Sequence, residues 1–346
     1  MLNYEDGNLH NLHYGLIHSG LPTLIDLKRD TLPFVNDTAK PKNYTLCKEG
    51  DIAFADASED TNDVAKAIEF INLEGQLVIS GLHTIHGRDN GNKTVVGFKG
   101  YAFASSSFHN QIRRIAQGTK IYSISSKSFD EVFISIPNKT EQTKIARLLH
   151  LIDERITTQN KIIEDLQSLI KGLAKTLTNQ GEPNTRISNC LDCHTSTLQE
   201  GSLNKKSLYP VYGASGIAGF LDDYICDKDS ILIIKDGSGA GTVSFATGQY
   251  SVIGTLNYLT AKSGYSLKYL YFCLMSFNFE PFKTGMAIPH IYFKDYGRAK
   301  IYCPSIAEQQ CIAKTLTVLE NKLNIELKLL NILYQEKRCL LSKMFI

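Results

Sequence analysis

Two long stretches of the chain place an apolar residue at alternate steps of four and three positions. The first carries Ile145, Leu149, Ile152, Ile156, Ile163, Leu166 and Leu173. The second carries Ile312, Leu316, Leu319, Leu323, Leu330, Leu333 and Leu340, each 167 residues on, the separation of Pro137 and Pro304. A mean repeat of about 3.5 residues keeps one stripe of a helix turned toward a partner helix, so the pattern predicts two long helices with a coiled-coil seam. Each opens on a proline followed by a Glu-Gln pair, Glu141-Gln142 and Glu308-Gln309. Proline suits a helix start, and a carboxylate there complements the positive end of the dipole. Gly181 and Pro183 stop the first helix. A polar residue interrupts both seams at the same place, Gln159 and Glu326. It either fixes the pairing register or marks where the helices diverge and meet water.

The segments ahead of the helices are related as well. Gly118–Ile121 aligns with Gly285–Ile288 at the same separation, and Val78–Ile85 resembles Val252–Leu259 after a small change in length. Glu49–Ala55 parallels Asp229–Lys235. The apolar runs Ser230–Lys235, Thr242–Ala246 and Ala299–Cys303 are bounded by Gly, Asp or Pro and predict short strands, and Leu267–Phe277 predicts a helix. The fold class that follows is α+β. A globular part over 1–136 precedes a helix over 137–182, and a second globular part over 183–303 precedes a C-terminal helix over 304–346.

Composition narrows the field. The 346 residues are 43% hydrophobic and 21% charged, enough apolar material for real cores, and too mixed for a disordered chain. No run of eighteen apolar residues offers a membrane span, and Met1–Gly7 has neither a basic nor an apolar leader region, so a cytoplasmic protein without membrane contact is expected. Eight dispersed cysteines then default to reduced thiols. The net charge of +2 does not announce a nucleic-acid binder, and the first globular part is slightly acidic, with 13 basic against 16 acidic residues over 1–136.

Asp236-Gly-Ser-Gly-Ala-Gly241 resembles a nucleotide loop only superficially. The following Thr242–Tyr250 reads as strand rather than helix, so a Gly-rich hairpin or loop is expected. Cys190-Leu-Asp-Cys193-His194 matches a haem-attachment pattern or half a zinc site, but no second ligand pair follows, and no metal is expected. His10/His13 and His83/His86 lack the Glu of a metalloprotease helix and read as surface or loop residues. Basic residues interleaved with polar and aromatic ones occur at Arg113, Arg114, Lys120 and Lys127, and again at Lys235, Lys283, His290 and Lys294. Such segments suit phosphate contacts from the cations and base-edge contacts from their neighbours. No catalytic constellation emerges, so this chain is not expected to be an enzyme.

Two variable globular parts, each followed by a Pro-x-x-x-Glu-Gln helix, resemble the specificity subunit of type I restriction–modification systems. The likeness extends to Lys337–Phe345, to Tyr209–Gly219, to Lys235–Gly241 and to Ala287–Tyr292. It implies two target-recognition domains reading the halves of a split double-stranded DNA site. The conserved helices would pair as an antiparallel coiled coil that spaces the readers and docks methyltransferase subunits, with restriction subunits joining through those. S-adenosylmethionine, ATP and Mg would then belong to partner subunits, with no cofactor on this chain. Only Met1–Asn11 precedes His13-Tyr14-Gly15, against about twenty residues ahead of Tyr209, so the first recognition domain is expected to be short at its N-terminus. Two other classes stay open. Binding of S-adenosylmethionine or a metal by the isolated chain would mark a stand-alone DNA-modifying enzyme; failure to bind any duplex at any salt would mark a coiled-coil scaffold.

Overall fold

The structure is a computed structural model that describes residues 2–36, 43–204 and 207–345, with the backbone alone described at Ser202. The chain divides into two compact units, residues 1–160 with 329–346, and residues 161–328.

In the first unit a sheet runs in the order Leu24–Asp26, Ala67–Asn72, Ile52–Ala55, Thr84–Gly87. Leu24–Asp26 pairs in parallel and the other neighbours antiparallel. The central strand Ile52–Ala55 is buried throughout, and its two faces serve different cores. Ile52 and Phe54 join Phe108, Ile112 and Ile124, whereas Ala53 and Ala55 join Leu12, Ile17 and Phe70. That split follows from the two-residue period of a strand. A second sheet pairs His10–Leu12 in parallel with Val78–Ser80.

Two buried carboxylates hold this unit together. Glu69, on Ala67–Asn72, accepts from the Gly97 and Gly100 amides at 2.9 and 2.7 Å, with Lys99 Nζ at 3.3 Å. It thereby caps the helix Phe98–Phe103, whose Gly97 cap sits at φ 87°. Burial raises the Glu69 carboxyl above its ordinary range, and Lys99 and the two amides only partly offset that. Asp51 is held by Arg88 at 2.6 Å and His86 at 2.8 Å. Burial alone would raise its carboxyl; Arg88, the Lys48 amide and His86 outweigh burial and hold it below the usual range.

The second unit is built on the same plan. Its sheet runs Leu191–Thr195, Leu256–Ala261, Ser230–Ile234, Val243–Ala246, all antiparallel. Ser230–Ile234 is the fully buried central strand. Ile231 and Ile233 face Leu270, Phe272 and Tyr296, and Leu232 faces Val211, Tyr250 and Val252. A three-stranded sheet pairs Tyr209–Gly213 in parallel with Ser251–Val252, the counterpart of the His10–Val78 pairing. The units differ at the sheet margin. Leu191–Thr195 extends the second sheet beyond Leu256–Ala261; the first is extended instead by Leu24–Asp26 at its opposite side.

The predicted strands over 230–235 and 242–246 are present as Ser230–Ile234 and Val243–Ala246, and the helix over 267–277 as Leu267–Met275. In 299–303 only Lys300–Ile301 is strand. The expected alignment of Glu49–Ala55 with Asp229–Lys235 is one residue out. The Ile124 amide donates to Asp56 O and the Ile291 amide to Lys235 O, both at 2.9 Å, so Asp56 corresponds to Lys235. A one-residue slip would exchange the two faces of the strand, and an unbroken apolar run gives no alternation to fix it.

The long helices are Lys139–Leu177 and Ile306–Lys343. Asn138 caps the first through the Glu141 amide at 3.0 Å. Ser305 and Glu308 cap the second reciprocally, a capping box. In the first unit Ile145, Ala146 and Leu149 pack with Phe98, Tyr101 and Phe345, while Ile152 and Ile156 pack with Leu333. Lys337 Nζ meets Asp153 across the pair. Low numbers on one segment thus meet high numbers on the other, and the two segments run antiparallel. In the second unit Ala174, Ala313 and Leu316 are buried in its main core.

The seam positions Ile145, Leu149, Ile152, Ile156, Ile163, Leu166, Leu316 and Leu333 are buried. Toward the end of the first helix the buried stripe moves from Leu173 to Ile170 and Ala174, the drift expected of 3.6 residues per turn against a strict 3.5. Ile312, Leu319 and Leu323 are half-buried. Gln159 is 1% exposed, so it does not meet water as one reading of the seam required; Glu326 is half-buried.

Candidate nucleic-acid interface

The basic segments of both units sit around one repeated device, a short hairpin. Gln117 and Ser123 exchange both backbone hydrogen bonds, at 3.0 and 2.8 Å. Thr284 and His290 do the same at 2.9 and 2.7 Å, each residue 167 positions on. Each turn depends on a glycine. Gly118 sits at φ 138° and Gly285 at φ 91°, and a Cβ on either would collide with the carbonyl oxygen of Ile121 or Ile288. Both hairpins lean on the loop that follows the central strand: Ser123 pairs with Ala57, and His290 bridges to Asp236.

In the first unit Arg113 and Arg114 lie in the last turn of Ser106–Ile115, where cations complement the dipole. The Arg113 guanidinium already donates to the side-chain oxygens of Asn62 and Asn110. Arg114 is exposed, as are Lys120 in the hairpin and Lys127 in the turn Ser126–Glu131. In the second unit Lys235, Lys283 and His290 come together. Lys235 follows the central strand, and its carbonyl accepts from Ile291. His290 Nδ1 lies 2.8 Å from Asp236 Oδ1, and Lys283 Nζ lies 2.6 Å from Glu280. Lys294, on the short helix Phe293–Tyr296, is exposed with its Nζ 5.3 Å from the Tyr292 ring centre. Gly237 donates to Pro289 O at 2.9 Å, which ties the Gly-rich loop to the hairpin. That loop joins two antiparallel strands, as the sequence suggested. Beside it a groove of about 270 Å³ is lined by Gly239, Thr242, Phe277 and Lys283.

The other sequence motifs have structural partners. Cys190 Sγ lies 3.8 Å from Cys303 Sγ, while Cys193 and His194 belong to a strand, with His194 on Thr260 at 3.1 Å. The three do not converge as ligands. His10 and His86 are strand residues rather than surface or loop ones: His10 is buried against Leu32 O, and His86 holds Asp51. His13 caps the helix Tyr14–His18. Among the described residues Cys47, Asp51 and His86 form one cluster whose ligand atoms lie within 4.8 Å of one another. Arg88 occupies both Asp51 oxygens there, and burial pushes the Cys47 thiol up to about 12, which makes the cluster an ion-pair node. No helix among the described residues is long and apolar enough to cross a membrane.

Sequence reasoning missed the anchors that join each helix to its unit. Gln142 accepts from the Val95 amide at 2.9 Å and donates to Lys93 O and Pro137 O. Gln309 accepts from the Ser266 amide at 3.0 Å and donates to Pro304 O. Both are buried. The repeated Glu-Gln was visible, but its role depends on loops that show no similarity.

The family model for the type I restriction modification DNA specificity domain matches twice, over residues 37–168 and 191–334. The chain belongs to that family. The specificity subunit of the type I restriction enzyme EcoprrI from Escherichia coli is 24% identical over 117 residues, 34% of this chain and 29% of that protein. A type I restriction enzyme specificity subunit of Haemophilus influenzae is 26% identical over 123 residues, 35% of this chain and 32% of that protein. The alignments thus span about a third of each relative's own length. The fold is similar to the crystal structure of a type I restriction–modification S subunit from M. genitalium, with a TM-score of 0.60 at 19% identity, covering 100% of this chain and 90% of that one.

Proposed function

We propose that this specificity-family chain is the DNA-reading subunit of a type I restriction–modification complex. Each unit would read one half of a bipartite, asymmetric double-stranded site. One observation carries the reading: two matches to a DNA specificity domain fall on two units built to one plan, with unlike surface loops. Two different readers on one chain suit an asymmetric site, where a homodimer would demand a palindrome.

The other roles follow from that. The chain itself is non-catalytic; S-adenosylmethionine sits on methyltransferase subunits, and ATP and Mg on restriction subunits that join through them, in the cytoplasm. The two helices act as the antiparallel coiled-coil spacer. Their 39 and 38 residues, about 58 Å at about 1.5 Å per residue, exceed one DNA turn of about 34 Å. The antiparallel packing of Ile152 and Ile156 with Leu333 supports that role. Val318 and Ile325, in the second unit, are exposed one seven-residue step apart. Such a pair offers a docking contact for helices of the methyltransferase subunit. Arg114, Lys120, Lys127, Lys235 and Lys294 supply phosphate contacts, with Arg113, Lys283 and His290 closer to the bases because side-chain partners already orient them.

The test is a reconstitution. Methyl transfer to duplex DNA should appear only when a methyltransferase subunit joins this chain, and affinity should fall steeply with salt. Transfer by the purified chain alone, or failure of the reconstituted complex to bind DNA, would overturn the reading.

A further inference from the structure

The two repeated hairpins end in aliphatic side chains that the fold does not use. Ile121 is 61% exposed, Ile288 is 57% exposed, and Met286 is fully exposed. None of the three joins a core cluster in either unit, whereas the hairpin bases are anchored by Ile124 and Ile291. A single exposed apolar residue is ordinary. What is not ordinary is its return at the same turn position in a second unit whose surrounding loops differ in sequence. Backbone hydrogen bonds close the base of each hairpin, Gly118 or Gly285 permits each turn, and Pro289 favours extended backbone at Ile288.

Each hairpin carries basic residues. Lys120 immediately precedes Ile121, and Lys283 and His290 stand at the base of the second hairpin, where Glu280 and Asp236 hold them. An exposed aliphatic tip on a hairpin that also carries basic residues fits the one apolar group that base edges offer in the major groove, the thymine 5-methyl. The geometry points to Ile121 and Ile288 as specificity-determining residues, each packing on a thymine methyl in its own half-site, with Met286 widening the second contact. This inference rests on the DNA-reading role proposed above.

The experiment uses the chain in complex with its methyltransferase subunit, as wild type and with Ile121→Ala or Ile288→Ala, on duplexes in which each thymine of the site is replaced in turn by uracil. For the wild type, one uracil in each half-site should weaken binding about tenfold. Ile121→Ala should abolish the penalty in one half-site only, and Ile288→Ala in the other only, with the salt dependence unchanged. Identical penalties in wild type and both variants would overturn the inference while leaving the DNA-reading role standing. Loss of the methyltransferase subunit, with uracil penalties retained, would make the tips a protein contact and overturn it too. If the wild-type complex binds no duplex at low salt, the DNA-reading role itself fails.

Discussion

The Tyr101 hydroxyl donates to the Asp153 carboxylate at 2.9 Å, fixing the helix Phe98–Phe103 to the first long helix. At both positions plus 167 stand Lys268 and Glu320, whose Nζ and Oε2 are 2.8 Å apart. The chemistry has changed from a neutral donor to a cation, and the place of the contact has not. Lys268 also lies over the Phe245 and Tyr271 rings, at 4.0 and 4.5 Å. In the first unit Lys337 serves Asp153 from the opposing helix instead, 5.8 Å from the Tyr101 ring centre. Each unit therefore anchors its long helix through one acidic residue at the same point.

Lys268→Met keeps the packing on the rings and removes the charge, leaving Glu320 without its cation. It should lower stability by about 1–2 kcal/mol, and Glu320→Gln added to it should cost little more. Denaturant unfolding of the four proteins of this cycle gives the coupling; additive single effects would show that the pair contributes nothing.

The helix-start glutamines should behave alike. Gln142→Ala leaves the half-buried Val95 amide without its acceptor and Gln309→Ala the Ser266 amide, and each should cost about 1 kcal/mol. Hydrogen exchange should speed at the Val95 or Ser266 amide, in each case only in the unit altered.

The Asp51 node predicts an acid limb. Its folded-state carboxyl is held low, so its stabilisation is complete above the unfolded-state value of about 3.9 and is lost as pH falls through the lower folded-state one. Asp51→Asn should lose about 2 kcal/mol at neutral pH and flatten the decline of stability below about pH 4. A mutant whose acid limb matches the wild type would refute the assignment.

Salt dependence should separate the cations. Lys120→Ala, Lys127→Ala and Lys294→Ala, each removing an exposed ammonium, should shallow the slope of log affinity against log salt by about one unit. Lys283→Ala should change the slope less, because Glu280 already neutralises that ammonium. Unchanged slopes for all four would remove these residues from the interface.

What was legible in the sequence was whatever repeats over short range. The helices announced themselves because one apolar stripe recurs from Ile145 to Leu166 and again from Ile312 to Leu333, and a proline followed by Glu-Gln marks each start. The Gly118 and Gly285 segments aligned, but nothing local showed that they close as hairpins, since their partners Ser123 and His290 carry no turn signal of their own. Contacts made by folding stayed hidden: Asp51 and Arg88 are 37 residues apart, and Glu69 and Gly100 are 31 apart. Strand register also escaped, because Ile52–Ala55 and Ser230–Ile234 are buried on both faces. The basic residues were named from short segments that interleave cations with polar and aromatic side chains, and the structure groups Lys235, Lys283 and His290 at one hairpin while leaving Lys127 on a separate turn.

The most direct measurement is a methylome of cells that express this chain together with a type I methyltransferase subunit, for the wild type and for a chain whose residues 183–303 come from another member of the family. The account predicts a bipartite asymmetric motif for the wild type, and for the exchange a motif in which one half changes while the other half and the gap persist. A contiguous or palindromic motif, or an exchange that alters both halves together, would contradict it.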